Sequence, residues 1–151
     1  MVQVDLTLLK KLRNETSASI ADCRTALEES ANDYKKAVEW IKKRAVEKAE
    51  KKADRQTSEG LVEAYIHQGG KVGALVELLC ETDFVAKTDD FKHLAKELGM
   101  QVAAMNPKDI DILLQQDYIR DSSQTIEKLI KGVIGKLGEN IILKRFVRYE
   151  I

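Results

Sequence analysis

The chain has 151 residues, with 25 basic and 25 acidic side chains that give a formal net charge of zero. A length in this range predicts one domain, or one domain with a small satellite. The balanced charge argues against a general nucleic-acid binder. Apolar residues at 44% exclude a disordered chain, and charged residues at 33% exclude a membrane protein.

Three short helices are predicted in the first third of the chain. The second helix begins near Ser19, because Ser19 and Asp22 have the spacing of a capping box, and the third begins after Asp33 as N-cap. Apolar side chains repeat at helical spacing and are expected to face a small common core. These positions are Leu8, Leu9 and Leu12, then Ile20, Cys23 and Leu27, then Tyr34, Ala37, Val38, Ile41 and Ala45. We therefore predict a three-helix module over residues 1–44.

Residues 45–59 are predicted to form a charged helical linker. The composition from Lys42 onward is rich in alanine, lysine and glutamate, which favours a helix with little apolar face. The basic side chains could bind phosphate backbones, but the segment has no aromatic residues to stack on bases, which favours a solvated helix. Trp40 lies off the apolar stripe, so it either packs on the second domain or faces a partner.

The middle of the chain changes to the two-residue period of β-strands. Residues 61–67 and 72–80 alternate, and Gly69-Gly70 lies between them. Because glycine readily takes positive φ, this pattern predicts an antiparallel hairpin.

Two helices and a returning strand complete a predicted α+β core domain over residues 60–151. One helix runs from about Thr88 to Asn106-Pro107, and the last opens near Ser122 and Ser123 and stops at Gly138. A third strand follows over residues 141–151, with Ile141, Leu143 and Val147 on one face and Ile142 and Phe146 on the other. The predicted fold class is α+β, with a three-stranded antiparallel sheet covered by helices.

The sequence shows no constellation that could carry out covalent catalysis. His67 and His93 lack catalytic or metal-binding neighbours, and Cys23 and Cys80 fall on predicted core faces. The chain also lacks a glycine loop that could cradle a phosphate. We therefore expect no enzyme activity, no cofactor, no metal and no direct binding of a nucleotide. The cysteine count and the start of the chain, which lacks a signal pattern, favour a cytoplasmic protein.

The segment Thr82-Asp83-Phe84-Val85 is the candidate functional site. It follows a predicted strand and precedes a helix, a place where loops project and carry function. The sequence leaves two interpretations of Phe84 open. The ring either plugs the corner between strand and helix or projects toward a partner.

Three separated motifs resemble the elongation factor Ts family, the guanine-nucleotide exchange factors of the translational GTPase elongation factor Tu. They are Leu12-Arg13-x-x-Thr16 with Asp22-Cys23-Arg24-x-Ala26-Leu27, then Cys80-Glu81-Thr82-Asp83-Phe84-Val85-Ala86-Lys87, then Lys136-Leu137-Gly138-Glu139-Asn140-Ile141 with Arg145-Phe146. The run Ser17-Ala18-Ser19-Ile20-Ala21 departs from the family's usual glycine turn and methionine pair. Longer members of the family carry a duplicated core half, and the length of this chain fits the compact members with a single core half.

The resemblance implies a role in translation elongation through a two-site contact with elongation factor Tu. The corner of Thr82, Asp83, Phe84 and Val85 would insert near the nucleotide's magnesium and phosphate loop. The other implied partner contacts are Leu12, Arg13, Ile20 and Arg24 in the N-terminal module, and Gly138, Glu139 and Asn140 in the core. A ribosome- or ubiquitin-type binding adaptor that uses only the three-helix module is the alternative function, and it would leave the corner without a role.

A homodimer is also expected, with no membrane or nucleic-acid partner. A three-stranded sheet leaves two edges, and the apolar side chains on its second face need cover. Single-core members of the family resemble one half of the longer ones. Pairing of two sheets would therefore complete the structure.

Overall fold

The computed structural model describes residues 2–151, in which three helices precede a sheet with its covering helices. The helices are α1 (Leu6–Thr16), α2 (Ile20–Glu29), α3 (Tyr34–Lys51), α4 (Asp83–Ala86), α5 (Asp89–Met105), α6 (Ile110–Gln115) and α7 (Ile126–Leu137). The strands are β1 (Glu59–Ile66), β2 (Val72–Cys80), β3 (Asp117–Tyr118), β4 (Asp121–Thr125) and β5 (Ile141–Glu150). None of the helices within residues 2–151 is long and apolar enough to cross a membrane.

Side-chain caps fix where the three N-terminal helices begin. The Asp5 carboxylate accepts hydrogen bonds from the backbone N–H groups of Thr7 and Leu8. Ser19 and Asp33 cap α2 and α3 in the same way. The predicted starts of α2 and α3 are therefore confirmed.

The three helices enclose a small apolar core. Its buried members are Leu12, Cys23, Ala26, Leu27, Ala37 and Ile41. Ile20 was expected to face this core but is 50% exposed, so that prediction is wrong. Ile20 is the first residue of α2, beside the exposed loop of Ser17 and Ser19, and the buried stripe of the helix begins one turn later at Cys23.

The main sheet has the order β1-β2-β5, and both neighbouring pairs are antiparallel, which confirms the predicted three-stranded sheet. Gly69 and Gly70 turn the chain between β1 and β2 at φ values of 96° and 75°, which glycine adopts without strain. One face of the sheet packs against α5 and α7. The buried core there includes Ala74, Val76, Leu78, Cys80, Phe91, Leu94, Leu98, Ile130, Ile134, Ile141 and Leu143.

A β-bulge in β5 reverses the faces of its second half. Glu77 pairs with Arg145 while Leu78 pairs with Leu143, so β5 carries one extra residue between these pairs. Beyond the bulge, Phe146 packs against the core and Val147 lies on the exposed face. The predicted faces of Phe146 and Val147 are therefore wrong, because simple alternation cannot register an inserted residue.

A two-stranded ribbon of β3 and β4 precedes α7 and was not predicted. Ser122 and Ser123 lie in β4, so the predicted helix start there is wrong, and Thr125 is the N-cap of α7. The ribbon is held by α5, because the buried Glu97 carboxylate accepts hydrogen bonds from the Tyr118 hydroxyl and from Nε of Arg120, each at 2.7 Å. These tertiary hydrogen bonds favour a strand at Ser122 and Ser123 over a helix that begins there.

Helix α3 joins the N-terminal module to the core. It is a continuous helix of 18 residues that ends at Lys51, beyond the predicted module boundary. Ala49 is buried against the core, and the basic Lys48 forms an ion pair with Asp22 of α2 rather than standing free in solvent. The division into residues 1–44, 45–59 and 60–151 stays a prediction.

Gly135→Ala is expected to destabilise the protein although alanine is the better helix former. The new methyl carbon would lie 2.6 Å from Cβ and 2.7 Å from Cα of Ala45. Helices α3 and α7 would have to separate, and we expect the free energy of unfolding to fall by about 1–2 kcal/mol.

Gly132→Ala is the matched control on the same helix. Within residues 2–151, a methyl group at Gly132 meets no neighbouring atom within 4 Å. We expect it to stabilise the protein by up to ~1 kcal/mol. Urea unfolding measures both variants, and equal stability changes would contradict the close contact between α3 and α7.

Candidate functional site

The corner between β2 and α5 presents one aromatic side chain to solvent. Thr82 is the N-cap of the four-residue α4, and its hydroxyl accepts a hydrogen bond from the backbone N–H of Val85 at 3.4 Å. Val85 packs against the core and Ala86 is buried. Phe84 comes immediately before these two residues in sequence and is 80% exposed. The ring does not plug the corner, because the side chains of Val85 and Ala86 fill that place.

Asp83 is held loosely beside Phe84. Its carboxylate lies 3.2 Å from the ammonium group of Lys87, one helical turn later. The side chains of Asp83 and Lys87 are 52% and 75% exposed, so this pair adds little to stability. Asp83 therefore remains available to a partner group.

A turn between α7 and β5 holds Thr82, the first residue of the corner. The Glu139 carboxylate accepts two hydrogen bonds from Thr82, one from its backbone N–H at 2.9 Å and one from its hydroxyl at 2.7 Å. Gly138 allows the turn, because it takes a φ of 79° as the C-cap of α7. Residues that lie far apart in the chain therefore form one site.

The neighbouring Asn140 anchors the same turn to the end of β2 and to the segment after α3. Its backbone N–H donates to the Glu81 carboxylate at 2.8 Å, and its side-chain amide donates to the carbonyl oxygens of Ala53 and Arg55 at 3.3 and 2.9 Å. Arg55 also lies 3.6 Å from the Glu81 carboxylate. Glu81 was not predicted as a member of this site, since its partners lie in two distant segments.

Cys80 lies directly beneath the corner and is chemically inert there. The side chain is fully buried, and its thiol donates a weak hydrogen bond to the Thr82 carbonyl at 3.1 Å. Burial, followed by the nearby negative charge of Glu139, raises the pKa of the Cys80 thiol to about 11. The thiolate is therefore scarce at neutral pH, as expected of a structural cysteine.

The predicted contact residues of the N-terminal module separate into two kinds. Arg13, Ile20 and Arg24 are exposed on α1 and α2, where a partner can reach them. Leu12 is fully buried in the core of the module, so it can act on a partner only by supporting the helices. The assignment of these residues to a partner contact stays a prediction.

The remaining polar candidates of the sequence take structural or surface positions. The indole N–H of Trp40 donates to the Glu29 carboxylate at 2.6 Å and its ring packs on the module core, so it does not reach the sheet. His67 and His93 are both exposed. Within residues 2–151, no three His, Cys, Asp or Glu side chains gather in a way that could hold a metal ion.

Comparison with known proteins links the site to one family. The family model described as "Elongation factor TS" matches residues 81–151, which include the corner and the Glu139 turn. An elongation factor Ts of Thermoanaerobacter sp. (strain X514) is 40% identical over an alignment of 187 residues that covers 94% of this chain and 92% of the relative. One from Thermotoga neapolitana is also 40% identical, over 99% of this chain and 98% of the relative.

The relatives also differ from this chain in length. The Thermoanaerobacter alignment is longer than the 151-residue chain itself, so that relative contains residues without a counterpart here. An elongation factor Ts of Nostoc sp. (strain PCC 7120) is 42% identical over all of this chain but over only 48% of the relative. The corner and the Glu139 turn thus lie in the part of the chain that both kinds of comparison cover.

Proposed function

The chain belongs to the elongation factor Ts family, whose members are nucleotide exchange factors for elongation factor Tu, and we propose that it releases GDP by inserting Asp83 and Phe84 near the nucleotide's magnesium and phosphate loop. The observation that carries this proposal is the 80% exposure of Phe84. An exposed phenylalanine forgoes roughly 1.5–3 kcal/mol of burial energy, which contact with a partner would recover. An exposed aromatic ring on a fixed corner is suited to act as a wedge.

Exchange by a wedge follows from differential binding. If the factor binds empty elongation factor Tu more tightly than the GDP-bound form, it weakens GDP binding by the same ratio. Phe84 would stabilise a displaced phosphate loop, and loss of magnesium would remove charge compensation from the diphosphate. No step requires a reactive group in this chain, and we propose that it is not an enzyme in the covalent sense.

The four residues of the corner would have two different roles. Asp83 and Phe84 have exposed side chains and would make the contacts with elongation factor Tu. Thr82 and Val85 are partly buried, cap α4 and pack on the core, so their contribution would be to hold the wedge. The exposed Gly138 lies on the adjoining turn and would add a contact from the core.

The N-terminal module would supply the second contact, on the GTPase domain of elongation factor Tu. Exposed Arg13, Ile20 and Arg24 offer two positive charges and one apolar side chain for this docking. Ile20 and Arg24 lie one turn apart on α2 and can therefore contact one surface. We propose that this contact provides affinity while the corner provides exchange, in the cytoplasm where elongation takes place.

We also propose that the chain forms a homodimer through the exposed face of its main sheet. The exposed apolar side chains of this face are Val62, Ile66, Leu75, Ile142, Val147 and Tyr149. They come from all three strands, and exposed apolar side chains gathered on one face are of the kind that marks an interaction site. A second copy that packs on the same face would cover both surfaces at once.

Leu75→Glu is expected to weaken this dimer by at least about tenfold without unfolding the chain. Leu75 is 44% exposed on the central strand, between Ala64 of β1 and Val147 of β5, so a charge there would be buried in the dimer. Ile119→Glu is the control, since Ile119 is equally exposed, at 43%, in the turn between β3 and β4. Sedimentation measures the mass, and a wild-type monomer of 17.0 kDa at tens of micromolar would contradict the dimer.

The alternative function, a binding adaptor that uses only the three-helix module, makes no use of Phe84. Its support is the separate apolar core of the module. An equilibrium titration tests exchange against this alternative. The chain should bind nucleotide-free elongation factor Tu more tightly than the GDP-bound form, and it should weaken GDP binding by the same factor, whereas equal affinity for the two forms would overturn the proposed exchange function.

A further inference from the structure

The corner that carries Phe84 needs an external support. Helix α4 has only four residues, too few to form a stable helix alone. Its C-terminal half is fixed by the packing of Val85 and Ala86 on the core. Its N-terminal end, which sets the direction in which Phe84 leaves the surface, is fixed through Thr82.

Glu139 holds that N-terminal end with both of its carboxylate oxygens. One oxygen accepts the backbone N–H of Thr82 and the other accepts its hydroxyl, at 2.9 and 2.7 Å. Bonds from neutral donors to a charged acceptor are stronger than neutral pairs, and two of them define an orientation as well as a distance. The carboxylate is therefore already occupied within the chain.

The turn that carries Glu139 is itself anchored by the next residue in the chain. Asn140 is 3% exposed and donates hydrogen bonds to Glu81 and to the backbone of Ala53 and Arg55. The turn that carries Glu139 is thus tied both to the end of β2 and to the segment after α3. A rigid turn can transmit its position to Thr82, whereas a mobile one could not.

We propose that Glu139 is a positioning residue for Phe84, and that it acts through Thr82 rather than by touching elongation factor Tu. This inference rests on the proposed role of Phe84 as a wedge. It assigns to Glu139 a function within the chain, in place of the direct partner contact that the family resemblance implies.

A double-mutant cycle on GDP release tests this assignment. Glu139→Ala alone should slow the saturating release rate about tenfold and leave the half-saturating concentration nearly unchanged, because docking by the N-terminal module is intact. In a Phe84→Ala background, Glu139→Ala should slow release no further. A second slowing of similar size in that background would mean that Glu139 contacts the partner directly, and would overturn the proposal.

Glu139→Gln separates hydrogen bonding from charge. The amide keeps an acceptor for the Thr82 N–H, so the release rate should stay within about threefold of wild type. A loss as large as that of Glu139→Ala would mean that the charge of Glu139 acts directly on the partner, and would overturn the proposal. Should Glu139→Ala melt below the assay temperature, Glu139→Asp provides the same cycle, since the shorter side chain keeps the charge and shifts Thr82. If Phe84→Ala alone leaves the release rate unchanged, the proposed role of Phe84 as a wedge is overturned. This outcome is distinct from a failure of the proposed positioning by Glu139.

Discussion

Phe84→Ala is expected to slow GDP release from elongation factor Tu by at least about tenfold while the protein stays fully folded. The lost ring contact in the partner is worth roughly 1.5–3 kcal/mol, and each 1.4 kcal/mol is a factor of ten. The side chain is 80% exposed in the free protein, so its removal leaves no cavity. Exposed substitutions change stability by less than about 0.5 kcal/mol, a shift of only ~1–2 °C in the melting temperature.

Asp83→Ala should act in the same direction but more weakly, because its carboxylate is partly engaged by Lys87 at 3.2 Å. Stopped-flow release of labelled GDP and thermal unfolding measure the two properties separately. A Phe84→Ala protein that melts early, and whose folded fraction exchanges GDP at the normal rate, would show that the ring is a structural plug.

Phe91→Ala, unlike Phe84→Ala, should lower the stability of the protein, with a loss of about 3–5 kcal/mol in the free energy of unfolding. Phe91 lies in the first turn of α5, is fully buried, and belongs to the core beneath the sheet. The substitution would open a cavity among side chains that cannot all relax into it. Any loss of exchange activity should follow from loss of folded protein.

Urea unfolding measures the stability of the Phe91→Ala protein, and the release rate per folded molecule measures its activity. At low temperature, where the variant is folded, it should exchange GDP nearly as fast as wild type. Stability unchanged from wild type would contradict the assignment of Phe91 to the core. Comparing Phe84→Ala with Phe91→Ala therefore separates a loss of exchange from a loss of stability with the same substitution.

The helices of the N-terminal module were predictable because their determinants are local. Ser19 and Asp33 cap their helices through backbone groups only three residues away. The ribbon of β3 and β4 was not predictable, because it depends on the buried Glu97 and Gln101 of α5, which are distant in sequence. The bulge in β5 was missed for a related reason, since the extra residue is defined only by the partner strand.

The candidate site was predictable in position but not in construction. A strand followed by Thr82-Asp83-Phe84-Val85 indicated a projecting corner, yet only the structure shows which side chain points to solvent. The grip of Glu139 on Thr82 joins residues 57 positions apart, and no local pattern indicates it. A hydrogen-bond acceptor in a turn becomes meaningful only when the fold brings its donor close.

The most direct test of the account is the release of labelled GDP from elongation factor Tu in the presence of catalytic amounts of this chain. The account predicts that release accelerates and that each molecule of the chain serves many molecules of elongation factor Tu, because the wedge leaves when nucleotide rebinds. A release rate that does not change with the concentration of the chain would contradict it.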